Sequence, residues 1–374
     1  MEINKIVLRK MNLELKSPFQ TSFSIQTDRD FLIVELHSDN HIGYGECVAS
    51  AKPLYSEETV GTVELMLEEI LIPALLNKKD IKHPDELNDL FKPFRRNNMA
   101  KAAIEGAYWD LYAKENNIPL HQALGGTKSQ IEVGISIGIQ ESLEDLIKVV
   151  EGYVNEGYKR IKLKIKPGND LTILEGIRKR FPTIEMMADA NSAYTLEDIG
   201  LFKEMDNLNL MMIEQPLAHD DIIDHAKLQP KIKSPICLDE SIHSLEDAKK
   251  AIELGSCKII NIKIGRVGGL TEAKKIHDYC ASKGIPVWCG GMLESGIGRA
   301  HNIAISSLPN FSLPGDTAAS SRYWHEDIIT PEVTVQNGTI PLPSSPGIGY
   351  EPNKDLMEKY TTSIKEITPQ KVFS

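Results

Sequence analysis

A chain of 374 residues exceeds one ordinary core and suits two domains, or one large barrel with an appendage. Hydrophobic residues at 41% and charged residues at 25% give the balance of a water-soluble globular protein, and no run approaches the roughly 18 apolar residues of a membrane span. A net charge of −11 excludes broad contact with nucleic acid or an anionic membrane surface, while leaving room for a local basic pocket.

The amino terminus, MEINKIVLRKMNLEL, alternates polar and apolar residues without the basic and apolar blocks of an export signal, so a cytoplasmic location is expected. It reads as a strand, and DFLIVELHSDNHIGYGECVA as two more, with a turn at Ser38-Asp39-Asn40. ETVGTVELMLEEILIPALL and MAKAAIEGAYWDLYAKE carry helical spacing, which makes residues 1–125 an α+β domain. Over residues 126–320 the texture becomes eight apolar runs separated by amphipathic stretches: IEVGISIG, RIKLKI, EMMADA, LMMIEQP, PICLDE, KIINIKI, PVWCG and FSLPGD. Helix starts are legible at Ser142-x-x-Asp145 and Thr195-x-x-Asp198, and stops at Gly157, Gly255 and Gly284. A recurrence of about 25 residues is one strand, one helix and two short loops, and the stretch lacks the GxGxxG of a doubly wound sheet. The prediction is an α/β barrel of the TIM type. After it, EVTVQNGTIPLP places Asn337-Gly338 as a hairpin turn, and residues 321–374 are expected to return to the first domain. The cysteines, Cys47, Cys237, Cys257, Cys280 and Cys289, are odd in number and scattered without a CxxC, so they read as reduced thiols.

Active sites of such barrels lie at the carboxyl ends of the strands. Lys164, Asp189, Glu214, Asp239 and Lys263 end the second to sixth runs at near-constant spacing, which sets them in one layer. Three carboxylates on adjacent strands would converge within a few ångströms, unfavourably unless a cation lies among them. All-oxygen donors suggest Mg²⁺, with Mn²⁺ as a substitute. Strands two and six of eight face each other, so Lys164 and Lys263 would flank a substrate carboxylate held on that cation. The KLKIK alternation turns Ile161, Leu163 and Ile165 to the helices and Lys162, Lys164 and Lys166 inward or beyond the strand. An amine beside an α-carbon, with its pKa lowered by burial and nearby cations, can remove a poorly acidic proton. Lys162, Lys164, Lys263 and a divalent cation give about +5 against about −3, a locally positive pocket suited to an anionic substrate.

These motifs resemble a known family. RIKLKIKPG (160–168), ADANSAY (188–194), IEQPL (213–217), PICLDES (235–241), NIKIGRVGG (261–269) and GGMLESGIGRAHNIAISSLPNFSLPGDTAAS (290–320) are similar to the enolase superfamily. Within it they resemble the muconate-lactonizing subgroup and its branch of o-succinylbenzoate synthases and N-succinylamino acid racemases. The resemblance implies a modified (β/α)7β barrel under an α+β cap formed with the tail. It implies Asp189, Glu214 and Asp239 as metal ligands, Lys164 and Lys263 as acid/base groups, and Lys162, Asn191 and Glu240 as their supports. Phe19 and Tyr55 would fall on cap loops over the distal part of the substrate, with Ser136, Gly291, Met292 and Asp316 lining the pocket. Arg266, in the turn after Lys263, resembles a feature of relatives with racemase activity, and Ile264 stands where relatives often carry proline. The implied reaction is syn dehydration of 2-succinyl-6-hydroxy-2,4-cyclohexadiene-1-carboxylate in menaquinone synthesis, with racemisation of N-succinylamino acids as the alternative. The implied partner is a small carboxylate with a succinyl group, neither nucleic acid nor membrane, and a homo-oligomer is expected. From other classes, a Schiff-base aldolase using Lys263 and a non-catalytic, metal-stabilised binding protein stay open.

Overall fold

The computed structural model describes residues 1–22, 24–78 and 80–369. Its cap is an antiparallel sheet in the order Thr361–Ile367, Lys5–Gln20, Ile25–His37, Ile42–Cys47, in which a strand near the carboxyl end pairs with the first strand. Alternation in Ile25–His37 divides the sheet's two faces. Leu32, Val34 and Leu36 pack with the cap helices, whereas Phe31 and Ile33 join the core shared with the barrel.

Helix Asn98–Glu115 lies on strand Ile42–Cys47 at backbone contact, and two glycines permit the approach. A Cβ on Gly45 would lie 2.0 Å from the Ala103 carbonyl oxygen, and one on Gly43 2.1 Å from that of Ala107. Gly45→Ala is therefore expected to destabilise the fold by about 1–3 kcal/mol, as overpacking does. A lowered urea midpoint checks this.

The same helix pegs the cap to the barrel. Glu105 accepts hydrogen bonds from the backbone N–H groups of Leu270 (2.6 Å) and Thr271 (2.9 Å), at the start of helix Leu270–Ser282. Burial pushes the Glu105 carboxyl up to about 7 from an ordinary 4.5, against those hydrogen bonds. An acid raised on folding holds more protons in the folded state. Its contribution is whole below pH 4.5 and is lost as the pH rises toward 7. The urea midpoint of the native chain should thus fall relative to Glu105→Gln between about pH 5 and pH 7.5. A gap between the two that does not change with pH contradicts this.

The barrel sheet is parallel and runs in chain order: Ile135–Ile137, Ile161–Lys164, Met186–Asp189, Ile213–Glu214, Ile236–Leu238, Ile259–Ile262, Val287–Cys289. These are barrel strands one to seven. FSLPGD, expected as the eighth, is not a regular strand. It touches its neighbours at two isolated parallel bridges, Phe311 to Val287 and Gly315 to Val133. Pro314 has no N–H to give, so a continuous ladder cannot form there. The bonds from Asp316 N to Cys289 O (2.9 Å) and from Gly134 N to Gly315 O (2.7 Å) nevertheless close the ring.

Local signals place the helices. Ser142 caps Leu143–Asn155, the Thr195 capping box opens a short 3₁₀ turn, and Gly157, Gly255 and Gly284 take positive φ at helix ends. Asn337-Gly338 turns with positive φ, and the residues after it, Thr339–Pro341, pair with Gln130–Glu132 below the barrel. The barrel interior is a small apolar plug of Met187, Met212, Cys237, Ile259 and Trp288. The five cysteines are buried free thiols, and among the described residues no helix is long and apolar enough to cross a membrane.

Candidate active site

Polar side chains begin directly above that plug. Lys164, Asp189 and Glu214 are register neighbours on strands two, three and four, and Asp239 lies two residues beyond Cys237, the neighbour of Glu214. All three acids are fully buried. Their parity matches that of the plug residues Met187, Met212 and Cys237, so they face into the barrel mouth.

The acids do not converge on one another as the spacing suggests. Among the described residues, no three Asp, Glu, His or Cys side chains gather closely enough to hold a metal ion. Each acid is instead paired with an ammonium group, and Lys162 bridges two of them. Lys162 Nζ lies 3.0 Å from Asp189 Oδ2 and 2.7 Å from Glu214 Oε2. Lys164 Nζ binds Asp189 Oδ2 at 2.5 Å, and Lys263 Nζ binds Asp239 Oδ2 at 2.8 Å.

The unpartnered carboxylate oxygens still suit a hard cation. Glu214 Oε2 and Glu240 Oε2 are buried without a hydrogen bond, the former despite its proximity to Lys162. Burial, and then the charge of Asp189, pushes Glu214 up to about 7. Burial and then Asp239 push Glu240 up to about 8. Two buried carboxylate oxygens are thus left without a donor, and the atoms open to a cation are all oxygen. The donor chemistry of Asp189, Glu214 and Asp239 therefore fits a divalent cation, which would have to draw the three carboxylates together in place of their ammonium partners.

On strand two, Lys162 is the deeper amine. Against its burial, Asp189, Asp316 and Glu214 hold it well above the ordinary lysine range. It also lies 5.0 Å over the Trp288 ring. Lys164, one step nearer the mouth, meets Asn191 Oδ1 at 2.7 Å. The backbone reverses after strand three, with Asn191 and Ser192 at φ 41° and 65°, and this lets Asn191 reach Glu240 Oε1 at 2.9 Å as well.

Lys263 belongs to a second group across the mouth. The Tyr55 hydroxyl lies 3.0 Å from Lys263 Nζ and 3.2 Å from both oxygens of Asp239. Arg266 donates to Asp239 Oδ1 and, at 3.1 Å, to the Tyr55 hydroxyl. Although burial disfavours its charge, Asp239 holds the Lys263 amine well above its ordinary value.

The other expected residues divide. Phe19 lies in the cap's first strand and not in a loop, edge-on to Tyr323 with ring centres 6.3 Å apart. With Tyr55, Gly291 and Met292 it lines the cavity that also contains Lys164 and Lys263. Ser136 and Asp316 do not line that cavity. Ser136 sits in strand one beside Lys162, and Asp316 is bound by Arg160 Nη1 at 2.7 Å and Lys162 at 3.3 Å.

Three supporting residues escaped the sequence reading. Asn261 donates to Glu214 Oε1 at 2.8 Å, Gln215 accepts from the backbone N–H of Asp239 at 3.0 Å, and Arg160 anchors Asp316. Asn261 is the one signal available in hindsight, a polar residue at an inward position of an otherwise apolar strand.

Comparison with known proteins gives the same architecture. Residues 3–125 match the family described as mandelate racemase / muconate lactonizing enzyme, N-terminal domain, and residues 145–356 match enolase C-terminal domain-like. An o-succinylbenzoate synthase of Geobacillus kaustophilus is 60% identical over 97% of both chains. An N-succinylamino acid racemase of Thermus thermophilus is 47% identical, over 96% of this chain and 98% of its own. A solved enolase-superfamily protein from Listeria innocua superposes with a TM-score of 0.96 at 45% identity, covering 99% of this chain and 100% of that one.

Proposed function

We propose, for a chain that belongs to the mandelate racemase and muconate lactonizing enzyme family of the enolase superfamily, that it is a lyase dehydrating 2-succinyl-6-hydroxy-2,4-cyclohexadiene-1-carboxylate to o-succinylbenzoate. The observation that carries the reading is the placing of two amines, Lys164 on Asp189 and Lys263 on Asp239, at opposite ends of one buried row of acids. The 60% identity to a synthase over nearly the whole chain supports it.

Lys164 removes the proton α to the substrate carboxylate and returns it to the departing hydroxyl, so that the C–H and C–O bonds break and a C=C bond and water form. Lys263, on the other face, stabilises the enediolate as a fixed positive charge. Lys162 neutralises Asp189 and Glu214 from beneath, and Asn191 and Glu240 orient Lys164. When bound, Mg²⁺, for which Mn²⁺ can substitute, would engage Asp189, Glu214 and Asp239, freeing the amines and stabilising the developing charge.

Racemisation of N-succinylamino acids is a second reading, in which the two amines exchange the roles of base and acid. The 47% identical racemase favours it, as does Arg266, whose grip on Asp239 bears on how tightly that carboxylate holds Lys263. A Schiff-base aldolase would leave the three buried acids without a purpose, and a binding protein would leave the opposed amines without one.

The test is dehydration of the cyclohexadiene carboxylate with and without Mg²⁺. Expected is a kcat/KM above about 10⁴ M⁻¹s⁻¹ that chelation abolishes. Absence of dehydration overturns the synthase reading, and borohydride trapping of Lys263 with a carbonyl substrate would replace it by the aldolase.

A further inference from the structure

The cavity at the barrel mouth has a third cation in its wall, supplied by the cap. Strand Ile25–His37 alternates so that Phe31 and Ile33 face the barrel. Two residues before Phe31 on that face comes Arg29, which is only 3% exposed and lines the cavity with Lys164 and Lys263.

Lys164 and Lys263 each bind a carboxylate, but among the described residues Arg29 meets none. Its hydrogen bonds all go to neutral oxygens: the Ala49 carbonyl at 3.2 Å, the Ser50 hydroxyl at 3.0 Å and the Val48 carbonyl. Its Nε is buried without a partner. Glu46, Glu294 and Asp30 act on it only from a distance, and burial draws its guanidinium below the ordinary value. A buried guanidinium without a counter-ion is costly unless an anion joins it. Beside it, Gln26 also lines the cavity with its amide oxygen unpartnered, and that amide can turn its N–H toward an anion.

We propose that Arg29, assisted by Gln26 and Ser50, forms the recognition site for a second carboxylate of the substrate, at the far end of its acyl chain. The inference rests on the synthase and racemase reading above, whose substrates both carry such a group. Arg29 then sets specificity. Its anchoring of the loop at Val48–Ser50 orients the guanidinium, and Nε, the nitrogen left without a partner, is the donor offered to the anion.

Equilibrium binding separates this role from loop anchoring alone. The whole chain with Mg²⁺ is titrated calorimetrically with o-succinylbenzoate and with 2-butanoylbenzoate, in which a methyl group replaces the distal carboxylate. The native chain is expected to prefer the dicarboxylate by about 100-fold, the scale of a desolvated charge pair. Arg29→Met should erase that preference, and Arg29→Lys should keep part of it, since charge survives but the fork does not. If Arg29→Met fails to fold, Arg29→Lys decides, with a preference reduced about tenfold as the supporting result. Equal weakening of both ligands in either variant reduces Arg29 to a loop anchor and overturns the proposal, as does a native chain without preference. A native chain that binds neither ligand overturns the underlying synthase reading instead.

Discussion

Replacing Lys164 by alanine is expected to lower dehydration by about 10⁴-fold while leaving the fold intact, because one amine serves as both base and acid. Lys164 Nζ has two partners, Asp189 and Asn191, and its removal does not strand either. Asp189 retains Lys162 at 3.0 Å, and Asn191 retains Glu240. The urea midpoint should move little. Lys263→Ala should cost less, about 10² to 10³, the usual loss when one fixed charge is removed from a developing anion. Its fold survives for a similar reason, since Asp239 keeps Arg266. A Lys164→Ala enzyme that still dehydrates at a tenth of the native rate would remove this lysine from the chemistry.

Asp239→Ala should produce the largest loss of stability, about 3–5 kcal/mol, the cost of breaking a buried ion pair from one side. Lys263 and Arg266 are both buried and both lean on this carboxylate, so its deletion leaves two largely desolvated cations without it. Tyr55 loses both of its acceptors on Asp239 at the same time. Asp239→Asn keeps the shape and one acceptor, and it should recover part of the stability but none of the activity. Urea denaturation checks the first expectation, and a midpoint unchanged in Asp239→Ala would refute it.

The sequence carried the barrel because its signal is periodic. Short apolar runs every 25 residues or so, the second to sixth of them ending in a charged residue, leave little freedom in where strands and active-site residues fall. The eighth run was apolar enough to read as a strand, but one proline reduces it to two bridges. Phe19 was placed on a loop by the family resemblance and not by any local signal. In the fold the strand continues to Gln20 across a register shift between Glu14 and Phe19. Spacing also revealed which acids share a layer but not how far apart their carboxylates stand. That depends on how Lys162, which bridges two of them, and Lys164 and Lys263, which bind one each, are placed, a matter of side-chain geometry. Arg29 was invisible for a different reason. An arginine between two aspartates in a polar strand start reads as a solvated residue, and only the packing of the cap on the barrel buries it.

The claim that two lysines work from opposite faces of one substrate is tested most directly by α-proton exchange in deuterium oxide. The enantiomers of an N-succinylamino acid are offered separately to the native chain, Lys164→Ala and Lys263→Ala, each with Mg²⁺. The native enzyme is expected to exchange both enantiomers, with each variant retaining exchange of a different one and neither variant racemising. Two variants that keep the same enantiomer, or a single lysine whose loss abolishes exchange of both while the other is dispensable, would contradict the two-faced site.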